Sequence, residues 1–396
     1  MLSLSVFPLI LLASGASASF QDFGIPSSNA IVNVRVFNVG NFTLFNEAPA
    51  VIAPVVPGHE TITVPTFSFL VEHNATQKRI LWDMGIRKDT QNAVPFYADA
   101  FAAGLITVEQ TGDIASQLEA GGIPLRSIES VIWSHAHFDH IGKNSPPLIL
   151  LLHSLLTRNP RGHVNVPQNH RACIRADTNT TTFPESPSAT LQASDLTGHN
   201  ITKIDFSHAN LTFSGLKAID YFGDGSFYLL DTPGHVAGHM TALARVTPTS
   251  FITLGGDTFH HVGEARPRPA FQKNFPCPAH LLEETKTSVS TELFWSPNSS
   301  LGSFDMLSRT QQFFSISDHP DSFYADPIIS QVSLEKVATF DADPDFFVLV
   351  AHDMSVVGAL PYFPASLNGW KASKLKESTA WSFVDKTNPA FALGTA

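Results

Sequence analysis

At 396 residues with 43% hydrophobic side chains, the chain can bury a sizeable core as one elaborated domain or one domain plus insertions, and large-scale disorder is excluded. Its 24 basic against 35 acidic residues leave a net charge of −11, which lacks the basic footprint that a phosphate backbone requires, so nucleic acid is not an expected partner. The N-terminus carries an apolar run from Leu4 to Leu12, and the small residues that follow include Ala16-Ser17-Ala18, which fits a cleavage site. Residues 1–18 therefore read as a signal peptide, too short to span a bilayer, and the expected product is secreted with no stable membrane insertion. Sequons at Asn41, Asn74, Asn179, Asn200, Asn210 and Asn298 agree with secretion and with a glycoprotein. An oxidising compartment would permit one disulfide between Cys173 and Cys277, the only cysteines.

From Ile31 the sequence IVNVRVFNVG alternates as a strand does, and Thr61 to His73 and Arg79 to Gly85 repeat the pattern, so a sheet opens the mature chain. Asp83, in LWDMG, sits where it can turn the chain before Gly85 or accept a hydrogen bond from a metal-ligating histidine. Asn92 to Leu105 mixes Pro, Phe and Tyr and reads as a loop, one able to wall a pocket or simply cover the core. Asp113 to Ala120 reads as a short helix closed by Gly121-Gly122.

Ser130 to Trp133 is a strand that delivers SHAHFDHIG, Ser134 to Gly142, with three histidines and an aspartate in six residues. On an extended segment alternate side chains share a face, so His135 and His137 point to one ion while Asp139 and His140, on the next turn, face another. Imidazole with carboxylate suits zinc, and manganese, iron, cobalt or nickel by the same ligand chemistry. Downstream, Leu148 to Leu156 is strongly apolar, and Ala176 to Asn200 turns to Thr, Ser, Pro and Asn, a solvated excursion of low order within a loop-rich insertion near 145–200. His153, His163, His170, His199 and His208 in this region read as surface or packing residues.

After a tight turn at Gly223-Asp224-Gly225, the strand FYLLD leads into Thr232-Pro233-Gly234-His235, with His239 close behind. Ser250 to Leu254 is a strand ending in Gly255-Gly256-Asp257, a carboxylate placed where backbone can come close. Phe346 to Val350 is a buried strand that delivers Ala351-His352-Asp353.

These segments, in this order, resemble the signature of the metallo-β-lactamase superfamily over roughly residues 30–360, with a C-terminal extension at 361–396 outside it. The resemblance implies an αββα fold: a four-layer sandwich of two mixed sheets with helices outside and the site at one edge. It implies a first metal on His135, His137 and His235, a second on Asp139, His140 and His352, and Asp257 bridging them, with His239 near the site but not a ligand. Zinc is the expected cofactor, at two ions per chain. Two such ions lower the pKa of a shared water, which implies hydrolysis of a small molecule, with Asp139 orienting the nucleophile or taking its proton.

Taken with Thr258-Phe259-His260-His261, the motifs look most like the lactonase-like branch, which includes N-acyl-homoserine lactone lactonases and related secreted fungal-type proteins. That branch has a tyrosine where His260 stands, so His260, or His261, is expected to hydrogen-bond the carbonyl oxygen in its place. Lactone or cyclic-amide opening is therefore the expected reaction. The alternatives are thioester hydrolysis of the glyoxalase II type and a metal-retaining protein without activity. Arg266 and Arg268, on a Pro-rich loop just downstream, are candidates to hold a substrate carboxylate or aromatic face.

Overall fold

The computed structural model describes residues 19–142, 171–197, 200–288 and 311–393. The expected signal peptide, the apolar run Leu148 to Leu156, the sequon at Asn298 and four of the histidines set aside above (His153, His163, His170 and His199) lie outside the described residues. Two mixed sheets carry the architecture. The first is built from β1 (Val32–Leu44), β2 (Ile62–His73), β3 (Arg79–Trp82), β4 (Ile106–Gln110), β5 (Ile128–Ile132), β6 (Arg171–Arg175) and β7 (Asn200–Ile204), in the spatial order β7-β6-β5-β3-β2-β1-β4. The second runs β8 (Leu211–Phe213), β9 (Leu216–Asp220), β10 (Phe227–Asp231), β11 (Met240–Thr247), β12 (Ser250–Leu254) and β13 (Phe346–Leu349) in sequence order. β3, β5, β6 and β7 pair in parallel, as do β12 and β13, and the other ladders are antiparallel.

Alternation along the strands sorts side chains into layers. Val32, Val34 and Val36 of β1 meet Phe227 and Leu229 of β10 and Ile252 and Leu254 of β12 between the sheets. The opposite face of the first sheet, with Phe37, Leu70 and Leu81, packs on Ile114 and Leu118 of the helix Ile114–Ala120. That helix starts as its sequence suggests, with Asp113 accepting from the Ser116 N–H at 2.8 Å. The outer face of the second sheet, through Leu230, Leu243 and Phe251, packs on Leu334, Val337 and Phe340 of the helix Pro327–Asp341. Because both faces of the second sheet are covered, its strands read as continuous apolar runs rather than as an alternation.

Three expectations change here. Pro95–Ala102 is a helix, begun by Pro95 at its first turn where the missing N–H costs nothing. The segment after β6 is ordered: Thr182–Phe183 pairs with Leu191–Gln192, Leu191 is buried, and Asp195 lies 3.7 Å from the buried Arg87. Cys173 sits between the sheets and Cys277 on the helix side of the second sheet, both buried and free, so the permitted disulfide is not formed.

The tail is part of the core. Phe363 stacks on Phe37 at 4.6 Å, Trp370 stacks on Phe347 at 5.5 Å, and Trp381, Phe383 and Leu393 are buried. No helix among the described residues is long and apolar enough to cross a membrane. Replacing Trp370 by Ala is expected to cost about 3–5 kcal/mol through lost burial and a residual cavity, measured by urea denaturation. A loss under about 1 kcal/mol would make the tail dispensable to the fold.

Candidate metal centre

Four strand ends converge at one edge of the sandwich. β5 runs into Ser134–Gly142, β10 into Thr232–His235, β12 into Gly255–Asp257 and β13 into Ala351–His352. Backbone hydrogen bonds knit these loops across the sheets: Met240 N–H donates to Ser134 O at 2.8 Å, Ala351 N–H to Gly256 O at 2.9 Å, and Phe67 N–H to Ala351 O at 3.1 Å. Two glycines are required by space. Gly256 has φ +51°, and a Cβ there would lie 2.8 Å from both His239 Nε2 and Ser134 Cβ. A Cβ on Gly234 would stand 2.3 Å from Ser330 N, so only glycine lets the His235 turn dock on the helix Pro327–Asp341.

The side chains fall into two groups that share Asp257. One is His135, His137, His235 and Asp257; the other is Asp139, His140, His352 and Asp257. In each, the potential ligand atoms all lie within 4.8 Å of one another. Asp257 Oδ2 is 3.5 Å from His135 Nε2 and 3.3 Å from His235 Nε2, while its Oδ1 is 3.0 Å from His140 Nε2 and 3.2 Å from His352 Nε2. Oδ2 thus lies against His135 and His235 and Oδ1 against His140, while His352 Nε2 is 3.2 Å from both oxygens.

The donor set fits divalent ions. His135 Nε2, His140 Nε2 and Asp257 Oδ1 are buried, point inward and have no hydrogen-bond partner, an arrangement that is costly unless something positive binds there. On His140 and His352 the outward nitrogen is held instead. His140 Nδ1 meets Asp83 Oδ2 at 3.0 Å and His352 Nδ1 meets Pro65 O at 2.8 Å, which keeps each Nε2 lone pair inward. Burial holds His135, His137 and His235 below the ordinary imidazole pKa, His137 at about 4, so these rings are neutral, the form that ligates a metal. Burial also opposes charge on His352, but Asp257 and Asp139 outweigh it and push the ring up to about 10. A proton on such a ring and a cation beside it are alternative partners for the same carboxylates.

Asp83 does what its position suggested. With φ +57° it turns its carboxylate back onto the motif, where Oδ1 accepts from Ser134 N–H at 2.6 Å and Oδ2 meets His140. His239 is buried and serves the backbone: its Nε2 accepts from Asp257 N–H at 2.9 Å while Nδ1 donates to Thr232 O at 2.8 Å.

Relatives of known description align over nearly the whole chain. Gamma-lactamase FDB1 of Fusarium pseudograminearum is 30% identical over 92% of this chain and 84% of its own, and the metallo-hydrolase mfmC of Annulohypoxylon moriforme is 33% identical over 93% and 90%. The family model described as metallo-beta-lactamase superfamily matches residues 61–146. The chain belongs to the metallo-β-lactamase superfamily. It is a metal-dependent hydrolase of that superfamily, and its fold is the one expected. A solved structure from a study of how indirect contributions of mutations optimise a new enzyme function has a TM-score of 0.52 at 17% identity, covering 86% of this chain and 99% of that chain, in keeping with the superfamily's fold.

Next to the two groups opens a cavity of about 780 Å³ whose floor includes His137, Asp139, His235, Asp257, His260 and His352. Its walls are Phe42, Leu44 and Val64 from the sandwich, Phe138 from the motif Ser134–Gly142, Phe96, Tyr97 and Ala100 from the helix Pro95–Ala102, and Phe323. His260 faces this space, with Nε2 3.4 Å from Asp257 Oδ2. His261 does not; its Nε2 donates to Ala390 O at 2.7 Å, which makes it an anchor for the tail.

Neither Arg266 nor Arg268 lines this cavity among the described residues. Arg266 is buried, with Nε and Nη2 each 2.8 Å from an oxygen of Asp341 and Nη1 on Ala380 O at 3.0 Å. Arg268 pairs with Glu335 on the outer helix. The charges that looked available to a ligand are spent on tying this loop to the helix Pro327–Asp341. Phe323 and Tyr324 were not legible as site residues. They arrive because Ala325 N–H donates to His235 O at 2.8 Å and Asp326 N–H to Gly234 O at 2.9 Å, contacts that no local motif announces.

Arg266→Ala removes the bidentate partner of the buried Asp341 carboxylate, so the expected cost is about 3–5 kcal/mol of stability. KM at a permissive temperature should stay where it was. A raised KM with unchanged unfolding midpoint would restore Arg266 to the substrate.

Proposed function

We propose that this hydrolase opens a lactone or cyclic amide that is electrically neutral and carries an apolar substituent. The observation that carries the reading is the cavity wall. It is aromatic and aliphatic, its titratable groups away from the floor are Glu47, Tyr97, Asp99 and Asp321, and no Lys or Arg lines it among the described residues. Glutathione and coenzyme A thioesters bring negative charge that such a wall repels, so the thioesterase alternative is disfavoured. The relative named a gamma-lactamase, 30% identical over 92% of this chain, supports a cyclic amide alongside a lactone.

His135, His137 and His235 would hold one ion, Asp139, His140 and His352 the other, and Asp257 both, with zinc the ion the donors suit best. Two divalent ions, when bound, supply an acidified water and polarise a carbonyl. The chain's own groups do the rest. Phe42, Phe138 and Phe323 receive the substituent and exclude water, which strengthens every polar contact at the floor. Asp139, between His140 and His352 at 3.5 and 3.2 Å, orients the nucleophile by accepting its hydrogen. His260 completes the floor beside the reacting carbonyl. The N-terminal apolar run and the sequons support secretion, and an intracellular, unglycosylated product starting at Met1 would count against it.

Protein purified with zinc should contain two ions per chain. Asp257→Ala should lose at least one, whereas His260→Ala should keep both and lose about 10²-fold in kcat. If His260→Ala emptied a metal position, the ligand sets would need redrawing. Neutral aryl- or alkyl-substituted γ-lactones and γ-lactams should turn over in preference to a glutathione thioester, and the reverse preference would overturn the substrate class.

A further inference from the structure

Behind His260 lies a chain of buried polar groups to which the chemistry above assigns nothing. Glu264 Oε2 accepts the backbone N–H of His260 and of His261, each at 2.8 Å. Its Oε1 accepts from the Tyr324 hydroxyl at 3.3 Å, and the Tyr324 oxygen is 2.6 Å from His260 Nδ1. Glu264 is 0% exposed, Tyr324 2% and His260 7%, so no bulk water substitutes for these contacts.

Counting hydrogens decides the polarity of the chain. A phenol has one hydrogen; with Glu264 ionised it goes to that carboxylate, so the Tyr324 oxygen meets His260 Nδ1 only as an acceptor. Nδ1 must then bear the ring's hydrogen. A neutral imidazole with its hydrogen on Nδ1 has its lone pair on Nε2, the nitrogen that faces the cavity and Asp257. Burial pushes the Glu264 carboxyl up to about 8, but three donors aimed at it and cationic charge held by the neighbouring ligand groups both favour its ionised, accepting form.

We propose that Glu264 and Tyr324 are positioning residues that fix the His260 proton on Nδ1, so that His260 presents a hydrogen-bond acceptor to the reacting group. What His260 meets rests on the hydrolytic reading above; the tautomer itself does not. The polarity is the reverse of that expected for a residue standing in for a tyrosine hydroxyl. Nε2 can receive the hydrogen of an attacking water, and it cannot donate to a carbonyl oxygen while the ring is neutral.

The arrangement has a diagnostic variant. In Glu264→Gln the two backbone N–H groups still require an oxygen, so the new amide N–H₂ faces Tyr324, donates to its oxygen and turns the phenol hydrogen onto Nδ1. The ring hydrogen then moves to Nε2. Zinc-loaded protein labelled with ¹⁵N at histidine, with His260→Gln to assign the signal, should show an Nδ1-protonated ring in the wild type and an Nε2-protonated ring in Glu264→Gln. Tyr324→Phe should keep both zinc ions and KM and lose roughly tenfold or more in kcat. An Nε2-protonated His260 in the wild type overturns the proposal, as does full kcat in Tyr324→Phe with its His260 tautomer unchanged. If the wild type opens neither lactones nor lactams, the proposed function falls while the spectrum still decides the tautomer.

Discussion

The two oxygens of Asp257 set the geometry of everything around them. One lies against His135 and His235, the other against His140, and His352 reaches both, so a single carboxylate fixes how far apart the two groups can sit. A buried anion in this position is tolerable only because imidazoles surround it and positive charge can enter between them. Its own placement is tightly determined: the backbone N–H is held by His239, the preceding Gly256 takes a left-handed turn against Ser134, and Ala351 closes on Gly256 from the neighbouring strand. Loops that carry chemistry are precise when rigid neighbours fix them, and here two sheets do so at once.

A second constraint acts one layer out. Asp83 ties the end of β3 to the backbone of Ser134 and to the ring of His140, so the aspartate that turns the chain also aims a ligand. The Glu264–Tyr324–His260 chain does comparable work, with Tyr324 supplied from 64 positions away in sequence. Both devices hold outward atoms so that inward atoms are defined, which is the usual way protein scaffolds tune polar sites. The apolar wall of the cavity comes from different material again: the strands β1 and β2, the helix Pro95–Ala102 and the Asp321–Phe323 turn. Apart from Phe138, which sits within the metal motif, the wall and the ligands rest on separate parts of the fold.

Much of this was legible in the residues, and the limits are physical. His135, His137, Asp139 and His140 could be read because ligands on one strand and its turn leave a dense local pattern, and His235, Asp257 and His352 because each follows an apolar strand and sits on or beside a small residue. The strands Phe227–Asp231 and Ser250–Leu254 were found to the residue. Arg266 and Arg268 misled because a Pro-rich loop rich in charge looks exposed, whereas Asp341, 75 positions away, takes up the first of them. Tyr324 was invisible because its meaning lies in one contact across 64 positions. The polar stretch after β6 looked loose because composition does not reveal that Leu191 and Asp195 find buried partners.

The tail has a consequence for how the protein comes into being. Leu367 N–H donates to Val34 O, Asn368 bonds the backbone of Val32 and Val34, and Phe363 covers Phe37; the last tenth of the chain thus completes the first strand. A polypeptide made from its N-terminus must hold that strand unfinished until residues 363–368 have been synthesised. Contacts of such sequence separation slow folding and leave apolar strand surface open meanwhile. β1 therefore acquires its full set of neighbours only after residues 363–368 have been made.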